Sequence, residues 1–296
     1  MEWTASFKKA INYMEENLLL DISAEETARK VNISSFYFQR GFKIMTGYSI
    51  SEYIRNRRLY LAGLEVISGR VKVIDLAGKY GYDTPESFAK AFARFHGCSP
   101  MQLKEKPFQI KTFLPLTIEV IIRGGAKMEF QVEQRESVKM IGFETQCSFE
   151  NSYQELPEFW AKIRKEYCQG EPEGNPGKEE IMQIMKECAV GEYGVCIDDR
   201  KEGVCRYLIA GIYWGGNVPE GMKVVEIPAC VWAKFKCTGP MPEAIQKVNT
   251  RIYKEWLPGN TEYELADDLN IEWYSNQGDV TDDDYESAVW IPVKKK

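Results

Sequence analysis

Ser34–Ser49 read SSFYFQRGFKIMTGYS, and about fifty residues further on Pro85–Pro100 read PESFAKAFARFHGCSP. Both carry Phe-x-x-x-Phe-x-x-x-x-Gly-x-Ser, through Phe38, Phe42, Gly47 and Ser49 and through Phe88, Phe92, Gly97 and Ser99. A pattern that recurs at a fixed interval marks one supersecondary unit written twice. Each pair of phenylalanines lies one helical turn apart and so faces one core. Upstream, DISAEETARKVNISSFYFQRGFKIM (residues 21–45) reads as a short helix, a turn at Val31-Asn32-Ile33 and a second helix. Ser34 is placed to cap that second helix, since its hydroxyl accepts an orphan N–H of the first turn. VIDLAGKYGYDTPESFAKAFARF (residues 73–95) repeats the plan. It has a helix from Val73, a turn at Gly81, a cap at Asp83 or Thr84, and Pro85 at a tolerated first-turn position. Ala28 and Ala77 are small enough for the helices of each unit to cross closely. Phe7, Ala10, Ile11 and Met14 mark an amphipathic helix ahead of the units. A long helix over Ile50–Ile67, with Arg55, Arg57 and Arg58, joins them.

The shared pattern specifies packing and leaves one face of each second helix free. In the first unit that face offers Ser35, Phe36, Gln39, Arg40 and Lys43; in the second it offers Glu86, Ser87, Lys90 and Arg94. Gln and Arg side chains can form paired hydrogen bonds with base edges in a DNA major groove, while Lys meets phosphates. A solvated polar surface explains one such helix equally well. Two of them, held by a long helix, favour a nucleic-acid contact.

The totals agree with a soluble, two-domain chain. Its 296 residues are 44% hydrophobic and 28% charged, and the formal net charge is -6. Residues 1–110 hold 16 Lys/Arg against 12 Asp/Glu, whereas the remainder holds 22 against 32. A mildly basic segment on an acidic chain suits DNA contact confined to one domain. The eight cysteines include no Cys-x-x-Cys pair. No apolar run approaches the roughly 18 residues of a membrane span, and the N-terminus lacks signal-peptide character. We expect a cytoplasmic protein with reduced thiols and no membrane partner.

KPFQIKTFLPLTIEVIIRGGAKMEF (residues 106–130) links two compositions, and TIEVIIR within it alternates like a strand. The expected division is 1–108 as the helical domain, 109–126 as linker or strand, and 127–296 as the second domain. Strand-like runs follow: MEFQVEQRESVKMIGFE, CRYLIAGIYWG, KVVEIPACVWAKFKCTG, LNIEWYS and SAVWIPVKK. Two helical stretches, SYQELPEFWAKIRKEYC and MPEAIQKVNTRIYKEWL, interrupt them. This order argues an α+β domain with an antiparallel sheet, so the chain is multidomain, all-α first and α+β second. GEPEGNPGKEE (residues 170–180) reads as a loop; Glu179 follows Gly177-Lys178 where a phosphate loop needs Ser or Thr.

Residues for catalysis are few. His96 is the only histidine, expected as a turn or surface residue of the repeat. Its position removes Ser-His-Asp, Cys-His and His-rich zinc chemistry. Asp282-Asp283-Asp284 lacks EF-hand spacing and reads as a solvated hairpin loop. We expect no enzyme, no catalytic residue, no metal and no cofactor. Six of the seven tryptophans follow residue 110, among them Trp214 and Trp232. In LNIEWYS, alternation puts Glu272 and Tyr274 on one side of a strand and Ile271 and Trp273 on the other. A carboxylate facing an apolar interior is costly unless something pairs with it. A cationic ligand among aromatic rings would supply that pairing, and an exposed edge strand is the plainer alternative.

Residues 5–106 resemble the DNA-binding domain of AraC/XylS-family transcription regulators. The resemblance rests on DISAEETARKVNISSFYFQRGFK, GYSISEYIRNRRLYLAGLEV and VIDLAGKYGYDTPESFAKAFARFHGCSP. It implies two reading helices in adjacent major grooves, so that one chain reads an asymmetric operator in duplex DNA. By position it makes Phe36, Gln39 and Arg40 the base-facing set of the first unit and Glu86, Ser87 and Lys90 that of the second. RNA polymerase is a further partner to test. Residues 128–294 resemble the gyrase-inhibitor-like effector-binding domain through EIPACVWAKFKCTGP, IQKVNTRIYKEWLP, LNIEWYS and AVWIPVKK. That resemblance implies two pseudo-symmetric strand-helix-strand-strand modules with a ligand cleft between them. Glu272 matches the acidic residue of that domain and Tyr274 the aromatic two positions on, with Trp232 and Trp214 as further expected walls. Trp232 stands where that family usually has Tyr. The expected function is a ligand-responsive transcription regulator that senses small aromatic or amphipathic compounds, cationic ones among them. The alternatives are a hydrolase of strained toxic compounds, built on a Glu and tyrosines, and an architectural DNA-binding protein without an effector.

Overall fold

The computed structural model describes residues 3–69, 72–118, 128–169, 175–198 and 203–296. The chain divides into two compact units, one over residues 2–123 and the other over 124–296 apart from Met1.

The first unit is helical: α1 (Trp3–Glu16), α2 (Ala24–Lys30), α3 (Ser35–Thr46), α4 (Ile50–Ser68), α5 (Val73–Lys79), α6 (Pro85–His96) and α7 (Pro100–Glu105). The repeat governs its construction. Ser34 and Thr84 cap α3 and α6 by accepting from the N–H groups of Tyr37 and Ser87. Gly47 and Gly97 end the same helices at φ of 80° and 76°, a left-handed conformation that a side chain disfavours. Ser49 and Ser99 then open α4 and α7 with complete capping boxes, closed by Glu52 and Gln102. Phe38, Phe42, Phe88 and Phe92 are fully buried. Each such ring contributes roughly 1.5–3 kcal/mol on burial.

Two of the three arginines of α4 are structural. Arg57 is buried and bonds both carboxylate oxygens of Glu15, with Nη2 2.7 Å from Oε2. Arg58 donates to the carbonyls of Leu18 and Leu20. Arg55 alone of the three is exposed. His96 differs from expectation: it is buried. Its Nδ1 accepts from the Lys111 N–H at 3.1 Å while Nε2 lies 3.0 Å from the Leu59 carbonyl. The proton therefore belongs on Nε2. Burial, ahead of any other cause, holds this imidazole below its ordinary pKa. Gly63 allows the close approach of His96 to α4, since a Cβ there would lie 2.8 Å from Nε2.

Among the described residues the second unit is a nine-stranded antiparallel sheet with helices. Its strands are β1 (Gln131–Arg135), β2 (Val138–Ser148), β3 (Tyr193–Asp198), β4 (Val204–Ile212), β5 (Lys223–Ile227), β6 (Cys230–Thr238), β7 (Tyr263–Leu265), β8 (Leu269–Tyr274) and β9 (Glu286–Lys295). The helices are α8 (Ser152–Ile163), α9 (Pro176–Glu187) and α10 (Glu243–Arg251). The order β1-β6-β9-β8-β3-β4-β2-β5 shows two matching halves. One module runs β2, α8, α9, β3, β4 and the other β6, α10, β8, β9, and they join where β8 pairs with β3. Each module's leading strand crosses to the other's outer edge, so β1 pairs β6 and β5 pairs β2.

Two differences from the sequence reading concern this unit. The expected loop over residues 170–180 becomes α9 from Pro176, capped by Asn175; residues 170–174 lie outside the described residues. Strands β3 and β7 fall in stretches not read as strands. The strand expected at residues 117–123 lies, from residue 119 on, outside the described residues.

Candidate functional site

The two reading helices present different surfaces. On α6, Glu86, Ser87, Lys90 and Arg94 are all exposed, while Phe88, Phe92 and Phe95 face inward. The Ser87 hydroxyl is taken up locally, donating to the Thr84 carbonyl at 2.8 Å. On α3 the expected free face is covered. Phe36 is fully buried, edge-on to Tyr37 at 5.0 Å, and Gln39 and Arg40 are each only 8% exposed. Ser35 accepts from Gln39 Nε2 at 3.0 Å, and Lys43, half-buried, pairs with Glu52 at 3.3 Å. Phe36 has no polar atom to hold in water, so its burial is the favourable state of that ring. The exposed surface expected of Phe36, Gln39 and Arg40 is thus corrected, although their place on one helix face stands.

In the second unit the site assembles around one carboxylate. Glu272 on β8 lies opposite Gly194 on β3 and Val289 on β9. It is buried, at 8% exposure, and its Oε2 accepts from Tyr207 Oη at 2.7 Å and from Tyr274 Oη at 2.9 Å. Tyr207 belongs to β4, one strand beyond β3, and reaches Glu272 across the missing side chain of Gly194. A Cβ at Gly194 would meet Tyr207 Oη at 2.0 Å and Glu272 Oε2 at 3.0 Å. Trp160 of α8 completes the group: its indole N–H donates to Tyr207 Oη at 3.0 Å, and its ring meets Tyr274 edge-on at 4.9 Å. Burial first, and the Glu272 charge second, push both phenols well above their ordinary pKa, so they remain donors.

Among the described residues Glu272 has no Lys or Arg partner. Its carboxylate is held by neutral dipoles inside an aromatic wall. Such a group accepts a cation or a further hydrogen-bond donor, and in low dielectric that attraction exceeds its worth on an open surface. Helices α8 and α10 are tied together by Tyr153, whose Oη accepts from Asn249 Nδ2 at 2.9 Å while its carbonyl accepts from Gln246 Nε2 at 3.0 Å. Asn249 is buried, and its Oδ1 has no partner among the described residues.

Glu272 and Tyr274 share one side of β8, and the other two expected walls do not join them. Trp232 is 1% exposed and packs with Ile271 and Trp290, on the face opposite Glu272. Strand alternation fixes this, because Ile271 and Glu272 are neighbours on one strand. Trp214 follows β4 and is 79% exposed, so it encloses nothing. Sequence reading missed Tyr207, Trp160 and Gly194. Only the β3–β4–β8 register brings them to Glu272, and no local motif announces it. Asp282 closes a turn by accepting from the Asp279 N–H at 3.0 Å.

Residues 128–294 match the GyrI-like small molecule binding domain and residues 27–106 match a helix-turn-helix domain. The HTH-type transcriptional activator AarP of Providencia stuartii is 36% identical over 88 residues, covering 30% of this chain and 65% of AarP. Right origin-binding protein of Escherichia coli is 27% identical over 107 residues, 36% of this chain and 37% of that protein. The chain thus spans less than two thirds of the length of either relative. The structure of SAV2435 bound to tetraphenylphosphonium superposes with a TM-score of 0.47 at 20% identity, over 56% of this chain and 94% of that one. With more than half of its length matched by that domain, the chain belongs to the GyrI-like family, joined to an AraC-type helix-turn-helix head.

Proposed function

We propose that the chain is a transcription regulator whose head reads duplex DNA and whose GyrI-like domain binds small aromatic cations at Glu272. The observation that carries the ligand class is the buried Glu272 carboxylate, held by Tyr207 and Tyr274 without a basic partner among the described residues. The exposed Glu86, Ser87, Lys90 and Arg94 of α6 support the DNA-reading role.

Glu272→Gln keeps the shape of the site and removes its charge. Binding of tetraphenylphosphonium, followed by tryptophan fluorescence, should weaken tenfold or more, while neutral triphenylphosphine oxide and the melting temperature should be unaffected. Equal loss for both compounds would take the charge of Glu272 out of recognition. A hydrolytic reading has one observation in its favour, the Glu272–Tyr207–Tyr274 group itself. In it, Glu272 would draw a proton from water as that water opens a strained ring, and a phenol would protonate the leaving atom. Turnover of a strained-ring compound, lost in Glu272→Gln, separates it from binding alone.

A further inference from the structure

The face of the sheet opposite Glu272 carries a cavity. Its apolar cluster includes Met140, Tyr193, Ile227, Trp232, Ile271 and Trp290, and every member of it is a strand residue. A cavity of about 390 Å³ opens among these side chains, with its mouth at the corner between β1 and β2. That volume is within the range of small-ligand sites, roughly 300–1,000 Å³. Three rings, Tyr193, Trp232 and Trp290, line it, so water inside meets mostly apolar surface. An aromatic occupant of matching size would release that water and gain in proportion to the apolar area covered.

The mouth decides the charge of the occupant. Glu133 pairs with Arg135 at 2.8 Å and also with Lys234. Glu136, next in the chain, has no ion pair among the described residues. Two carboxylates and two cations thus cancel at the rim. Arg135 and Lys234 also sit over the Trp290 ring, at 4.7 and 3.9 Å from its centroid. A cationic ligand would find that ring already engaged, and an anionic one would meet Glu133 and Glu136. We propose that this cavity is a second ligand site, separate from the Glu272 group, and that it takes small uncharged aromatic compounds.

The full chain can be titrated with N-phenyl-1-naphthylamine, an uncharged probe whose emission rises in apolar surroundings. Ile212→Trp and Val138→Trp, on different strands and at strand ends, place a large ring in the cavity. Each should weaken the probe tenfold or more, while Glu272→Gln, on the other face, should leave it unchanged. The comparison rests on whichever filled variant keeps the wild-type circular dichroism spectrum. Independently of any variant, saturating tetraphenylphosphonium should leave the probe bound to the wild-type chain. Lack of saturable probe binding, loss in Glu272→Gln, indifference to a folded filled variant, or mutual exclusion of the two compounds would each overturn the proposal.

Discussion

The two helix-turn-helix units share their inward residues and differ in what faces outward. Phe38 and Phe42 of α3 have their counterparts in Phe88 and Phe92 of α6, and all four are fully buried. The outer positions diverge. Phe36 stands where the second unit has Glu86, and Arg40 where it has Lys90. The first set is buried and the second exposed. A repeated motif therefore fixes how a helix packs and leaves its other surface to be set residue by residue. The unit with the larger apolar ring on its outer face is the one that is covered.

Cutting into the shared part should affect both units alike, and most strongly. Phe42→Ala and Phe92→Ala each remove a fully buried ring, at a cost of about 3–5 kcal/mol for such a truncation. Urea denaturation followed by circular dichroism measures it; a small loss in one unit alone would end the equivalence of the two cores.

DNA binding probes the part that differs. Lys90→Ala, at an exposed position of the base-facing set, should cost roughly 1–3 kcal/mol at the specific site and relax base preference there. Arg94→Ala should weaken all sequences about equally and lower the slope of affinity against salt by about one. If both variants lose affinity without any change of preference, Lys90 reads no base.

The smallest expected effect is a dependence on pH that only the second unit has, because His96 takes the place held by Thr46 in the first. Its folded-state pKa is depressed below the ordinary 6.5, so the unfolded chain binds the proton more readily. Stability that is complete above about pH 6.5 should decline as pH falls below that value. Protonation at Nδ1 also abolishes its bond from Lys111. Urea midpoints from pH 7.5 to 5.0 should show a slope that His96→Gln removes.

Local signals made the head legible. Caps at Ser34 and Thr84, glycine stops and phenylalanine spacing are written within a few residues of the structure they specify. The burial of Phe36, Gln39 and Arg40 is not, because helical spacing says which residues share a face and nothing about what covers it. In the sheet, alternation placed Glu272 with Tyr274. It could not place Trp232 relative to them, since which face a residue shares with another strand depends on register. Tyr207 and Gly194 stayed hidden for the same reason. Helix α9 had a signal in Asn175-Pro176, a cap followed by proline at the first helical position, that the many glycines nearby obscured.

One stretch of chain without regular structure has a consequence for where the head can be cut. After α7 the backbone returns along α4. The Phe113 carbonyl accepts from Arg57 Nη1 at 2.5 Å, and the Leu116 N–H donates to Tyr53 Oη at 3.3 Å. The Phe113 ring lies 5.1 Å from Tyr48 and 6.2 Å from Phe95. A fragment ending at Lys106 would retain every helix of the repeat yet strip a carbonyl from the buried Arg57 and a donor from His96. One ending after Leu116 would keep both. The smallest self-sufficient head is therefore longer than its sequence pattern, and a protease should find its first accessible bond beyond this strap rather than at the end of α7.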